Sequence, residues 1–283
     1  MMIKIAAIQM MMSEDKTKNI FKAENAVREA ASHGAQIILL PELFEGLYFC
    51  KDMDEKYFSW AQERLGHPLI QQFSLLAKEL AVVLPISYFE KDGEDYYNAL
   101  VVIDADGTVL ENYRKTHIPD GPGYEEKFYF KSGDTGFKVW DTKYAKIGVG
   151  ICWDQWFPES ARAMALLGAE LIFYPTAIGS EPEINIDSSQ HWKRVQQGHA
   201  AANVVPVIAA NRIGEEAGES CTLTFYGHSF MTDATGAIVA EASRDEEMLI
   251  FAEYDLKEQS KQREYWALFK DRRPNMYGVI CND

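Results

Sequence analysis

Gly148-Val149-Gly150-Ile151-Cys152-Trp153-Asp154, followed three residues later by Pro158-Glu159, is the stretch on which the fold turns. The apolar run Ala145–Ile151 has the length of a buried strand and is too short for a helix. Pro158 opens a helical segment, Pro158–Leu167, and Gly168 closes it, the usual placing of these residues at helix ends. A second strand, Leu171–Tyr174, and a second helix, His191–Asn203, follow. Strands that alternate with helices imply parallel pairing in an α/β fold.

The first half of the chain has the same pattern. Strands are expected at Ile3–Gln9, Gln36–Leu40 and Ala81–Tyr88, and helices at Thr17–His33, ending at Gly34, and Pro68–Leu80. Tyr97–Ile103 and Val109–Arg114 read as an antiparallel pair turning at Asp106-Gly107. Later strands fall at Val207–Ala210, Thr222–Tyr226, Ser229–Thr232, Ile238–Ala242 and Leu249–Tyr254. The sheets are therefore mixed. Two similar halves without a Pro- or Ser-rich linker predict one domain spanning 1–283, with two sheets packed together. The tail from about residue 260 is expected to be irregular or helical and to lie at a subunit interface or pack within its own chain.

Composition narrows the function. The chain has 28 Lys and Arg against 43 Asp and Glu, a net charge of −15, with no basic run to meet a phosphate backbone. Nucleic acid is not an expected partner, and the acidic field either raises the local concentration of cationic ligands or only keeps the protein soluble. Cys50, Cys152, Cys221 and Cys281 form no CxxC or zinc-like spacing, and the histidines form no HxxxH or HExxH pair. No Gly-rich phosphate loop links a strand to a helix. No metal, cofactor or membrane span is expected, and a cytoplasmic location follows as the default.

Three reactive side chains follow expected strands. Cys152 ends the central run, Glu42 follows Ile37-Ile38-Leu39-Leu40-Pro41, and Lys115 follows Val109–Arg114. Ligands of open α/β sheets sit at the carboxyl ends of strands. A thiol near a helix N-terminus is expected to lean toward thiolate. Taken singly, Cys152 could be a small buried hydrophobe, Glu42 a solvated loop acid and Lys115 part of a basic turn. Together they are the types that acyl transfer through sulfur requires: a nucleophile, a proton carrier and a cation for the oxyanion.

The segments Leu39-Leu40-Pro41-Glu42, Tyr113-Arg114-Lys115-Thr116-His117-Ile118-Pro119 and Gly150-Ile151-Cys152-Trp153-Asp154 resemble, in order, the three signatures of the nitrilase superfamily. The resemblance runs from the first strand to Arg272-Arg273-Pro274. It implies a four-layer αββα sandwich with two mixed sheets, and a Cys-dependent hydrolase of non-peptide C–N bonds. It implies Cys152 as nucleophile, Glu42 as general base, and Lys115 with the Trp153 backbone N–H as the oxyanion site. The superfamily's second glutamate matches Glu126, with Glu125 as the adjacent alternative. Homo-oligomers are common in the superfamily, and Tyr265-Trp266-Ala267-Leu268-Phe269 would suit an interface.

Members that hydrolyse N-carbamoyl amino acids carry arginines after the Cys, where this chain has Gln155 and Trp156. The segments 118–124, 152–159 and 176–182 are instead similar to members that hydrolyse N-carbamoylputrescine. That resemblance implies a small cationic substrate. Glu181 is the expected ammonium anchor, with Trp153, Trp156 and Tyr48 as aromatic walls. Asp154 is either an alternative anchor or a shaper of the turn. Two rival readings stay open: an amidase for a dicarboxylic ω-amide or an N-carbamoyl amino acid, and an inactive binding protein on the same fold.

Overall fold

β1 (Met2–Met11) carries Ile3, Ile5 and Ala7 on one face and Ala6, Ile8 and Met10 on the other, all buried. A strand covered on both sides loses the polar alternation of a surface strand. The computed structural model describes residues 2–180, 182 and 186–281. α1 (Lys16–Ser32) starts where the Asp15 carboxylate accepts from the backbone N–H of Thr17 and Lys18, and it gives way to Gly34 at φ +86°. β2 (Ile37–Leu39) pairs in parallel with β1. α2 (Pro68–Leu80) begins on proline and ends at the left-handed Ala81. β3 (Leu84–Asp92), β4 (Asp95–Ile103) and β5 (Val109–Arg114) form an antiparallel meander. It joins β2 through Ile38 N–H to Val83 O (3.0 Å) and Val83 N–H to Gln36 O (2.9 Å).

The short α3 (Glu126–Tyr129) precedes the second sheet. β6 (Val139–Asp141), β7 (Lys146–Val149), α4 (Pro158–Leu166), β8 (Leu171–Pro175), α5 (Ser189–Asn203) and β9 (Val207–Ala210) come next. β10 (Arg212–Ala217) and β11 (Thr222–Tyr226) return to the first sheet. β12 (Phe230–Thr232) and β13 (Ile238–Glu241) complete the second, whose order is β13-β12-β9-β8-β7-β6. β14 (Met248–Asp255) runs antiparallel to β1, and α6 (Leu256–Trp266) follows.

Three sets of buried contacts define the layers. Ile5, Leu39, Leu100, Val149, Phe173 and Ile208 meet in one cluster between the sheets. Val27 and Phe73, from α1 and α2, cover the outer face of the first sheet against Ile8 and Ile38. Met164 and Ala200, from α4 and α5, cover the second against Ile172 and Val207. The result is an α/β four-layer αββα sandwich, as the resemblance implies.

Some boundaries differ from the sequence reading. The strand expected at Ala81–Tyr88 starts three residues later, because Ala81 is the left-handed cap of α2 (φ +55°). β6 and β10 were not anticipated; β10 has little apolar patterning and carries a buried ion pair instead. Among the described residues no helix is long and apolar enough to cross a membrane.

Candidate active site

The ends of β2, β5 and β7, with the start of α3, bring four side chains together in the interior. Glu42, Lys115 and Glu126 are fully buried and Cys152 nearly so. Lys115 Nζ lies 2.9 Å from Glu42 Oε1 and 2.8 and 2.7 Å from the two oxygens of Glu126. The Tyr48 hydroxyl donates to Glu126 Oε1 (2.7 Å), and Asn98 Nδ2 donates to Glu42 Oε1 (2.7 Å). The second oxygen of Glu42 is buried without a protein partner among the described residues. Of the adjacent pair of glutamates, Glu126 is the one whose carboxylate reaches Lys115. Glu125 is partly exposed, and its backbone N–H donates to Cys50 O (2.7 Å).

Burial acts on every charge here. It opposes the Lys115 ammonium, but Glu126 and Glu42 outweigh it and hold the group protonated, well above the ordinary lysine range. Burial raises Glu126, against the attraction of Lys115. Burial, and after it the negative charge of Glu42, pushes the Cys152 thiol well above its ordinary value, with Lys115 opposing. The expected lean toward thiolate is thus corrected. Cys152 does sit at a helical start, as the first residue of the 3₁₀ turn Cys152–Trp156, but burial and the neighbouring carboxylate dominate. Such a thiol attacks only as a base removes its proton.

Cys152 takes φ +41°, a conformation that side-chain-bearing residues adopt at a cost. Asp154 supports it. One carboxylate oxygen accepts from Ile151 N–H (2.9 Å) and Tyr113 O–H (2.7 Å); the other accepts from His117 N–H (3.0 Å) and lies 2.7 Å from His117 Nδ1. The fully buried Asp154 therefore ties the segment that flanks Lys115 to the turn that carries Cys152. With both oxygens engaged, Asp154 shapes the turn, the second of its two expected roles. Gly150 leaves the turn its room, since a Cβ there would lie 2.8 Å from the Tyr174 ring.

Cys152 opens into a cavity of about 110 Å³, bordered by Asp120, Pro122, Tyr124, Glu126 and Trp153. Trp153 lines it. Trp156 packs edge-on against Trp153 (6.1 Å between ring centroids) and against His191 (4.9 Å). Tyr48 is corrected from aromatic wall to buried support: its ring has no exposure, and its hydroxyl is spent on Glu126. Glu181 lies outside the described residues.

Sequence reasoning missed Asp120 and Tyr124 at the cavity, Asn98 on Glu42, and Arg212. Asn98 had left one signal, an amide before the apolar run 99–103 within β4. Arg212 is fully buried, and its guanidinium donates to the carbonyls of Glu42 (2.7 Å) and Leu43 (3.1 Å). Among the described residues no group of three His, Cys, Asp or Glu side chains is arranged to hold a metal ion.

A family described as carbon-nitrogen hydrolase matches residues 4–264. The chain is 55% identical to an N-carbamoylputrescine amidase of Solanum tuberosum, across 99% of this chain and 95% of that protein. It is 53% identical to a citrullinase of Francisella tularensis, across 98% of each. A solved carbon-nitrogen hydrolase from Helicobacter pylori G27 superposes with a TM-score of 0.92 at 37% identity, covering 100% of this chain and 99% of that one.

Proposed function

The chain belongs to the carbon-nitrogen hydrolase family, and from that membership we propose that it hydrolyses N-carbamoylputrescine to putrescine, carbon dioxide and ammonia. The observation that carries the choice of substrate is the charge of the cavity. Its described lining presents the carboxylates of Asp120 and Glu126 and no Arg or Lys, with Tyr124 and Trp153 as aromatic surface. A ligand with an ammonium on a four-carbon arm suits such walls. A ligand with a carboxylate at that end meets no cation among those residues. Glu181 remains part of the proposal as an ammonium anchor, with Asp120 of the described lining as a further carboxylate for the same role.

In this mechanism Cys152 Sγ bonds to the ureido carbon as its proton passes to Glu42. Lys115 and the Trp153 N–H stabilise the oxyanion, while Glu126 holds Lys115 charged and in place. Collapse breaks one C–N bond, and Glu42 returns the proton to the leaving nitrogen. Water, losing a proton to Glu42, then attacks the S-carbamoyl carbon; as the C–S bond breaks, Glu42 returns that proton to Cys152 Sγ. The carbamate released divides into carbon dioxide and the remaining amine or ammonia.

A second reading has a specific observation behind it, the similarity to a citrullinase. Citrulline differs from N-carbamoylputrescine by an α-carboxylate. The test is ammonia release from N-carbamoylputrescine beside L-citrulline, N-carbamoyl-β-alanine and a dicarboxylic ω-amide, with Cys152→Ala as the inert control. Preference for the first supports the proposal. Preference for any acid keeps the catalytic residues and overturns the assignment of the cationic end. Inactivity on all four favours a binding protein on this fold.

The proposal extends to a single domain, to a homo-oligomer and to a cytoplasmic setting. Exposed Tyr265, Trp266, Leu268, Val279 and Ile280 near the C-terminus support burial against another copy. Four free cysteines suit a reducing compartment.

A further inference from the structure

The loop that carries Glu42 contains a second strained position, Leu43 at φ +47°. A strained loop keeps its shape only where its surroundings determine it. Here the determinant comes from far along the chain. Arg212, the first residue of β10, lies beside Met10 of β1 with no solvent exposure. Its Nη2 donates to the carbonyl oxygens of Glu42 (2.7 Å) and Leu43 (3.1 Å), and its Nη1 donates to Gly46 O (3.3 Å). A planar fork can hold neighbouring carbonyls in a fixed relation, as a lysine's single ammonium cannot.

The guanidinium also pairs with Glu216, on the same face of β10, through Nη1 to Oε1 at 2.8 Å. The other oxygen of Glu216 accepts from the backbone N–H of Tyr48 (2.5 Å) and lies 3.9 Å from the buried Lys51 ammonium. The hydroxyl of that same Tyr48 donates to Glu126. The Arg212 guanidinium lies 5.8 Å from the Tyr48 ring and 5.3 Å from the Phe225 ring.

We propose that the buried Arg212–Glu216 pair positions both glutamates of the site, Glu42 through its own backbone carbonyl and Glu126 through Tyr48. Neither residue touches the reacting atoms, so both are positioning residues. The inference rests on the catalytic reading of Glu42 and Glu126 given above. It differs from a generic structural ion pair in where its hydrogen bonds end: one chain on the base itself, the other on the group that holds the cation.

The test uses the full-length enzyme in five forms: Arg212→Lys, Glu216→Gln, Tyr48→Phe, the Glu216→Gln/Tyr48→Phe double variant, and Glu42→Gln. A Gln at 216 has one acceptor oxygen and cannot serve both Arg212 and the Tyr48 N–H. For Arg212→Lys and Glu216→Gln, kcat should fall about 10- to 100-fold while KM moves less than about threefold. The hydroxyl of Tyr48 helps Glu126 stay ionised, so the acid limb of the rate profile should move to higher pH in Tyr48→Phe and Glu216→Gln alike. The double variant should be little worse than either single one, because both break one chain of contacts.

Near-wild-type kcat in a folded Arg212→Lys overturns the proposal, as does full additivity in the double variant. Should Arg212→Lys fail to fold, the Glu216→Gln kinetics and the cycle with Tyr48→Phe decide alone. Full activity in Glu42→Gln would instead locate the failure in the catalytic reading.

Discussion

Replacing Asp154 by Asn removes one acceptor and adds a donor while keeping the side chain's size. Asp154 now accepts from Ile151 N–H and Tyr113 O–H on one oxygen, and from His117 N–H on the other, which also pairs with His117 Nδ1. An amide oxygen replaces only one of these. If it faces Ile151 and Tyr113, the new NH₂ group faces the His117 backbone N–H. If it faces His117, the NH₂ group meets the Ile151 N–H. The Tyr113 hydroxyl and the imidazole can reverse roles, but a backbone N–H cannot. One buried N–H is orphaned either way, at about 1–3 kcal/mol, and the surviving bonds lose charge assistance, at about 1 kcal/mol each. Relief from burying a carboxylate offsets part of this, leaving about 2–3 kcal/mol. In a chain of this size that corresponds to a fall in melting temperature of about 5 °C. The orphaned group flanks either Cys152 or Lys115, so kcat should drop by about 100-fold. Thermal melting and ammonia release measure the two effects. A melting point within about 1 °C of wild type, with kcat intact, refutes the clamp.

Alkylation of Cys152 by iodoacetamide, followed by peptide mass spectrometry, should accelerate with pH beyond the range of ordinary thiols, since burial and Glu42 hold its proton. Glu42→Gln removes a negative neighbour and should move that profile to lower pH; movement to higher pH would contradict the assignment. Burial, with Lys16 adding, depresses the His67 imidazole to about 4, and the ring lies edge-on to Tyr88. The unfolded chain therefore takes up this proton first. The contribution to stability is complete above pH about 6.5 and is lost as pH falls toward 4, a decline that urea titrations should find reduced in His67→Phe. Gly133→Ala would set a Cβ 2.1 Å from Arg114 O and 2.8 Å from Lys115 O, so it should lower both melting temperature and kcat. The control Gly198→Ala, within α5 with nothing near its Cβ, should leave kcat unchanged and stabilise by about 0.5–1 kcal/mol.

What sequence could reach was set by the range of the interactions. Cys152 and Glu42 were legible because each follows a local apolar run, and Lys115 because it follows a strand, and runs and strands are read from neighbours in sequence. α2 was read to its exact ends, Pro68–Leu80, because proline and the spacing of Leu69, Phe73 and Leu76 are equally local. Arg212 was not legible, because its contacts with Glu42 and Leu43 span 170 and 169 residues. Tyr48 was misread for a related reason. Its composition suits a pocket wall, and only the fold reveals that Glu126 occupies its hydroxyl. Asp154 was left open between anchor and turn-shaper, and its four close contacts lie on two segments that the sheets bring together.

The electrostatics of the site bear on both the proton route and the substrate. Counted formally, Glu42 and Glu126 set two carboxylates against the one ammonium of Lys115, an excess of one negative charge before any chemistry. Ionising Cys152 to bulk solvent would add a second negative charge in a region where burial already penalises each one. Passing the thiol proton to Glu42 leaves the total unchanged and brings the growing negative charge on sulfur, then on oxygen, toward Lys115. A base within the cluster is therefore needed, and a pre-formed thiolate is disfavoured by the same burial that lets Lys115 act strongly. An ammonium at the cavity mouth, near Asp120, partly compensates the net negative charge beneath it, whereas an added α-carboxylate increases it. Under the proposed function, the site's charge therefore favours, of two ureido substrates of equal length, the one without the acid.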